Sequence, residues 1–319
     1  MKVLVTGSAG HLGEALVRTL KGDVIGVDIT ASPFTTHQGS ITDRAFVKRC
    51  LAGVKTVYHT ATLHKPHVGT HSRQQFIDTN ITGTLNLLEE AVAAGVEFFI
   101  FTSTTSVFGD ALIPPAGSPA AWITEDVTPV PKNIYGVTKA AAEDLCQLFH
   151  RNQGLPCIVL RTSRFFPEED DHKGARDTYA DENLKTNEYL SRRVEIQDVV
   201  NAHILAAERA AAIGFGKYII SATTPFTLND MAALRVDTPA VLRRLFPDYE
   251  AIYARKGWQM FPVMDRVYVN ERARVDLGWK PLYDFRYALD NGLRSPLSLL
   301  IGSKGYHPEM FAEGPYPVE

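Results

Sequence analysis

The stretch Lys2-Val3-Leu4-Val5-Thr6-Gly7-Ser8-Ala9-Gly10-His11-Leu12-Gly13 decides the fold. Lys2 to Thr6 is a short apolar run suited to a buried parallel strand, and it breaks at Gly7. Helical periodicity starts near His11 and carries Leu12, Leu16, Val17 and Leu20 on one side. A strand, a glycine turn and a helix N-terminus make an anion site, because free backbone N–H groups and the helix dipole face the same point. Gly7, Gly10 and Gly13 stand where the backbone must turn tightly, approach a ligand closely or pack helix on strand. Their spacing is one residue wider at its start than the Gly-x-Gly-x-x-Gly dinucleotide fingerprint. The next strand, Val24 to Val27, ends in Asp28, whose carboxylate can accept both hydroxyls of an adenosine ribose and would repel a 2′-phosphate. Ile29, Thr30 and Ala31 follow, with no arginine to receive that phosphate. The expected cofactor is therefore NAD rather than NADP.

A second signature lies downstream, at Tyr135-Gly136-Val137-Thr138-Lys139. A free phenol has a pKa of about 10 and is a poor base at neutral pH. An ammonium on the same helical face, one turn on, favours the phenolate. Tyr135 then exchanges the proton of a substrate hydroxyl while hydride moves to or from the nicotinamide, and Lys139 reaches the nicotinamide ribose. A third group must orient the substrate oxygen. Thr102-Ser103-Thr104-Thr105-Ser106 supplies hydroxyls at the C-terminal end of a strand, where open α/β sheets bind ligands. A Tyr-x-x-x-Lys pair alone is a common structural feature of helices. Its place after this strand end gives it the chemical reading.

The chain has 319 residues, enough for one large or two unequal domains. A formal net charge of −3 with mixed signs leaves no basic stripe, which argues against nucleic-acid binding. No apolar run reaches membrane-spanning length, and Met1 leads almost at once into the first strand, so neither a signal peptide nor an anchor is expected. Cys50, Cys146 and Cys157 have no paired or metal-ligand spacing, which fits a reducing cytoplasm. Strands and helices alternate to about residue 161, predicting a Rossmann-type, doubly wound parallel α/β sheet. Its expected parts are a helix near Asp43–Leu51, a strand at Thr56–His59, a long helix over Arg73–Ala94, a strand at Phe98–Thr102, a helix from Tyr135 to about Asn152, and a strand at Cys157–Leu160. A proline-rich loop, Ile113–Pro131, holds Trp122 and Glu125 and could form part of a lid. Residues 162–319 read mainly as a smaller substrate-binding module, with a helix near 196–212 and a strand near 217–221 returning to the first domain. Pro167–Asn187 is charged and short of apolar residues, as a substrate loop or disordered flap would be.

These segments together resemble the extended short-chain dehydrogenase/reductases, particularly the NAD-dependent epimerase/dehydratase group. The resemblance runs over nearly the whole length. Thr6 to Gly13 looks like the group's cofactor loop, with His11 and Leu12 in its contact positions. His59-Thr60-Ala61-Thr62-Leu63 resembles the segment that lies along the cofactor, and Asn80 matches an asparagine of the long third helix. Phe101 to Gly109 resembles the segment carrying the catalytic serine or threonine, a role the alignment gives to Thr104, with Ser103 and Ser106 as neighbours. Arg272 to Pro281 looks like the C-terminal Leu-Gly-Trp-x-Pro element. The resemblance also implies a homodimer built on the two long helices.

Departures from the group bear on substrate. Gly39-Ser40-Ile41 replaces the usual Gly-Asp-Ile against the adenine. Arg164 stands about where nucleotide-sugar members carry an asparagine, and the region up to Arg192 and Arg193 is short. Arg164, Arg192 and Arg193 are candidates to meet a phosphate or carboxylate, or to pair with nearby acids. His64-Lys65-Pro66-His67 reads as substrate contacts from His64 or His67, and no metal is expected. The resemblance favours 4-epimerisation of a nucleotide sugar through a transient ketone. The short substrate region favours an NAD-dependent dehydrogenase of a free sugar or sugar acid. A dehydratase lacks its acid pair, replaced here by Thr105 and Ser106. A non-catalytic NAD-binding sensor would have no need of Tyr135.

Overall fold

In the computed structural model, which describes residues 1–306, apolar runs become strands and amphipathic segments the helices between them. The remainder of the expected C-terminal module, 307–319, lies outside the described residues. The first half contains β1 (Lys2–Thr6), α1 (His11–Thr19), β2 (Asp23–Asp28), β3 (His37–Gln38), α2 (Arg44–Cys50) and β4 (Thr56–His59). After α3 (Arg73–Phe76) and α4 (Gly83–Ala94) come β5 (Phe98–Thr104), β6 (Ala121–Ile123), α5 (Ile134–Gln153) and β7 (Cys157–Thr162). The central sheet runs β3-β2-β1-β4-β5-β7-β8, with every neighbouring pair parallel and β8 at Phe215–Ile220. The strand order reverses between β1 and β4. At such a switch point the loops leaving the strands diverge and open a crevice.

Apolar layers cover both faces of the sheet. One packs Leu16, Ile100, Leu160, Val199 and Trp279, and the other packs Val57, Leu88, Phe99 and Cys146. The Trp279 indole donates to the Asp198 carbonyl at 2.9 Å, tying the Leu-Gly-Trp segment to α8 (Ile196–Ile213). Cys50, Cys146 and Cys157 are free and buried.

Three elements differ from the sequence expectation. The helix expected over Arg73–Ala94 opens into a π turn at Ile77–Thr82, between α3 and α4. Inside that turn the Asn80 amide donates to the Leu63 carbonyl and to Thr138 Oγ1 (2.9 and 3.0 Å), contacts that decide the local backbone. Second, the polar stretch 167–187 contains α6 (Lys173–Thr178) and α7 (Asp181–Glu188). Helix α7 is buried although polar, because Asn183 and Asn187 both donate to the Gln259 carbonyl at 3.0 Å. Third, the proline-rich loop contributes β6, which pairs in parallel with β9 (Arg266–Tyr268). A further apolar cluster, including Leu190, Phe226, Leu242, Val267 and Phe285, joins α7 to the C-terminal helices.

Candidate functional site

The loops at the carboxyl ends of β1, β4, β5 and β7 surround one cleft of about 700 Å³. Its floor at one end is the first glycine turn. Gly7 has φ +73°, and a Cβ there would lie 2.8 Å from the Ala61 nitrogen. A Cβ on Gly13 would sit 1.9 Å from the Gly7 carbonyl oxygen, so only glycine lets α1 start this close to β1. Gly10 caps α1 without a side chain, leaving the first-turn N–H groups at His11, Leu12 and Gly13 directed to an anion. Asp28 is fixed nearby, its carboxylate accepting from Ala9 N at 3.0 Å and Thr30 N at 2.8 Å. Ser40 and Ile41 line the same end, and Ala61, Thr62 and Leu63 line the side. This is a cradle for a dinucleotide: N–H groups for the pyrophosphate and a carboxylate for the ribose. Asn80 does not reach the cleft wall. Its oxygen accepts from Leu63 N and Thr62 Oγ1, both at 2.9 Å, so it shapes the loop from behind.

At the other end stands Tyr135, buried at the start of α5. Burial pushes its phenol up to about 12, and the neighbouring Thr104 hydroxyl pulls it partway back. Lys139 lies one turn further, 2 % exposed, behind the cleft wall, with Nζ 4.0 Å over the Phe101 ring. Burial lowers its ammonium to about 7 against the opposing pull of Cys146 and Glu143. The other hydroxyls of the strand end are engaged elsewhere. Thr102 Oγ1 bonds His203 Nε2 at 2.8 Å, and Ser103 Oγ donates to Glu143 Oε1 at 2.6 Å. Glu143 is in turn gripped by the Arg161 guanidinium, at 2.7 Å from Nη2. Ser106 lines the cleft, and its backbone N–H donates to Thr104 Oγ1 at 3.1 Å.

The cleft is also lined by charges that pair with one another. The Glu188 carboxylate, 1 % exposed, accepts from Arg164 at 2.9 Å, Arg192 at 2.9 Å and Arg193 at 2.8 Å. Burial alone would raise its pKa, but Arg192, Arg164 and Arg193 hold it at about 2. Arg164 also pairs with Asp170 and Asp171. Arg164 and Arg193 line the cleft; Arg192 does not. His64 lines it too, while His67 Nδ1 accepts the His64 backbone N–H at 3.0 Å. Among the described residues, no group of His, Cys, Asp or Glu side chains could hold a metal ion.

Sequence reasoning missed Ser163, Glu168, Lys304 and Tyr306, which also line the cleft. Glu168 Oε1 lies 2.9 Å from His11 Nε2 and accepts from Ser303 Oγ at 3.0 Å and Lys304 N at 2.7 Å. Lys304 Nζ pairs with Glu14 of α1, and the Tyr306 ring stands edge-on to His64 with ring centres 4.7 Å apart. No local pattern marks residues 303–306, because their partners come from α1 and from the loops after β4 and β7.

The family model of the NAD dependent epimerase/dehydratase family matches residues 3–220. An uncharacterized UDP-glucose epimerase of Bacillus subtilis is 30% identical over 184 residues, covering 50% of this chain and 55% of that protein. The chain thus spans about half the length, or less, of these curated relatives, 55% and 39% of two that are 30% and 32% identical. A 3 beta-hydroxysteroid dehydrogenase/Delta 5-->4-isomerase of Mycobacterium tuberculosis is 26% identical over 343 aligned positions, 93% of this chain and 91% of that one. The crystal structure of a UDP-glucose 4-epimerase with UDP-glucose from Thermotoga maritima superposes with a TM-score of 0.62 at 26% identity, covering 91% of this chain and 96% of that one. With a family model matched from the first strand to the last strand of the sheet, and a cradle that fits its cofactor, the chain belongs to the NAD dependent epimerase/dehydratase family of NAD-dependent enzymes.

Proposed function

We propose that this enzyme interconverts a secondary alcohol and its ketone on a sugar-like substrate, with Tyr135 moving the proton. The observation that supports the reading is the placement of the Tyr135 phenol beside the Thr104 hydroxyl, on the cleft that runs to Asp28. NAD, when bound, supplies the hydride acceptor. Thr104 and Tyr135 hold the substrate oxygen between them, and Tyr135 takes its proton. Lys139, behind the phenol, favours the phenolate electrostatically. The expected result for Tyr135→Phe is a loss of about a hundredfold or more in rate with NAD affinity unchanged, read by steady-state kinetics and NAD titration. Turnover at the parent rate would remove Tyr135 from the chemistry. An NAD-binding sensor would be untouched by the substitution.

The ketone has two fates. In a 4-epimerase it turns within the cleft and is reduced on its other face, a reading supported by likeness to the Thermotoga maritima UDP-glucose 4-epimerase. In a dehydrogenase it leaves and NADH is released, a reading supported by the paired arginines where a nucleotide would lie. The three buried free cysteines fit a cytoplasmic enzyme, and the outer faces of α4 and α5 fit a homodimer.

A further inference from the structure

Resting on that redox reading, we propose that the substrate is an uncharged, polyhydroxylated molecule, a free sugar or polyol, and that the cleft does not admit a nucleoside diphosphate. A diphosphate carries charges that must be met by cations or N–H groups not already taken. At the substrate end each cation lining the cleft already faces a carboxylate. Lys65 pairs with Asp171, Lys185 with Asp181, Arg193 with Glu188, and Arg164 with Asp170, Asp171 and Glu188. Glu168 and Glu169 add further negative charge to the same lining. Glu188 is fully buried, so the guanidiniums that converge on it cannot turn away without stranding its charge. A sugar acid would meet the same surplus of carboxylates.

A second, independent observation names what does fit. Ser163 Oγ, His64 Nε2 and Glu168 Oε2 are buried polar atoms with no hydrogen-bond partner among the described residues, and all three residues line this cleft. Ser163 is only 4 % exposed. Native proteins rarely leave such atoms unpaired, so three of them lining one cleft point to polar ligand groups that complete them. A carboxylate oxygen needs a donor, whereas a serine hydroxyl and an imidazole nitrogen each take a group that gives or accepts. A hydroxyl of a small polyhydroxylated molecule, as donor and acceptor at once, meets any of the three. The aromatic rings of Phe165 and Phe166, with centres 4.5 Å apart, give the C–H faces of a sugar ring an apolar wall. A purely apolar alcohol would leave the three polar atoms unpaired and the ion pairs stripped of water.

The test titrates UDP and UDP-glucose into the NAD-loaded protein by calorimetry, beside NADH formation with a panel of neutral aldoses and polyols. The expected result is no UDP or UDP-glucose binding at about 1 mM and NADH formation with a neutral member of the panel. Micromolar binding of either nucleotide overturns the substrate class, and so does a neutral panel in which no member is either oxidised with NADH formation or epimerised. Asp171→Asn takes one carboxylate from both Arg164 and Lys65 and should raise affinity for UDP at least about tenfold; Asp170→Asn gives an independent second readout on Arg164. Failures of the two readings separate. UDP-glucose epimerised in a Tyr135-dependent way sinks the neutral substrate and keeps the redox chemistry. A neutral sugar oxidised equally well by Tyr135→Phe does the reverse.

Discussion

Burying an ammonium costs stability, and Lys139 is buried at 2 % exposure with an aromatic ring under its nitrogen. The unfolded chain keeps that proton up to about pH 10.4, whereas the folded protein holds it only up to about 7. Between those values the unfolded state binds the extra proton, so stability rises with pH across the window and is flat below it. Lys139→Met should therefore abolish turnover yet stabilise the fold at pH 7 by on the order of 2 kcal/mol, with the gain shrinking toward pH 10. Denaturant melts of parent and variant at pH 7 and pH 9.5 would show it; an equal or less stable variant at pH 7 would refute the buried-charge account. Residues of this kind are legible in sequence when their pattern is local. Gly7, Gly10, Gly13 and Asp28 belong to one βαβ unit, and Tyr135 and Lys139 to one helical turn. Thr104 was legible only by resemblance. Four neighbouring hydroxyls look alike in sequence, and tertiary partners set two of them apart, His203 for Thr102 and Glu143 for Ser103, while the proposed role of Thr104 rests on its place beside the Tyr135 phenol.

At the scale of elements, hydrophobic periodicity revealed those whose burial is apolar. Strands β1, β2, β4, β5, β7 and β8 and helices α5 and α8 fall close to where apolar runs and stripes put them, whereas the two-residue edge strand β3 has no such signal. Helix α7 was illegible because its burial rests on amide hydrogen bonds, and β6 because its partner β9 lies far along the chain. The π turn between α3 and α4 was hidden for a related reason: its cause is Asn80, whose partners sit on the loop after β4 and on α5. Asn80→Ala should cost about 1–3 kcal/mol, since it takes the acceptor from the half-buried Leu63 N–H and from Thr62 Oγ1, and a donor from Thr138 Oγ1. It should also weaken NAD binding, because the loop 60–64 loses its rear support. Fluorescence titration with NAD and urea melts would check both, and unchanged NAD affinity would confine Asn80 to a structural role.

For the whole molecule, the order of βα units fixes the sheet, and the sheet fixes which loops meet. The cleft is less legible, because it joins residues near 65, 164, 188 and 304 that share no local signal. Assembly follows from the surface. Val137 and Leu148 on α5 and Val92 on α4 are 47 %, 37 % and 37 % exposed, and Val137 and Leu148 lie on one helical face. Size-exclusion with light scattering should give twice the 35.3 kDa chain mass, and Val137→Asp with Leu148→Asp should halve it. A monomeric parent protein would dismiss the dimer. The tie between Glu14 and Lys304 has a consequence in time. Its two ends are 290 residues apart, so at ribosomal speed the second follows the first by roughly 15–60 s. Throughout that interval the glycine turn and its carboxylate can exist as a folded groove, while the piece that walls it in has yet to be synthesised. A dinucleotide therefore meets this chain during its birth as an open shelf, and only afterwards as an enclosed berth.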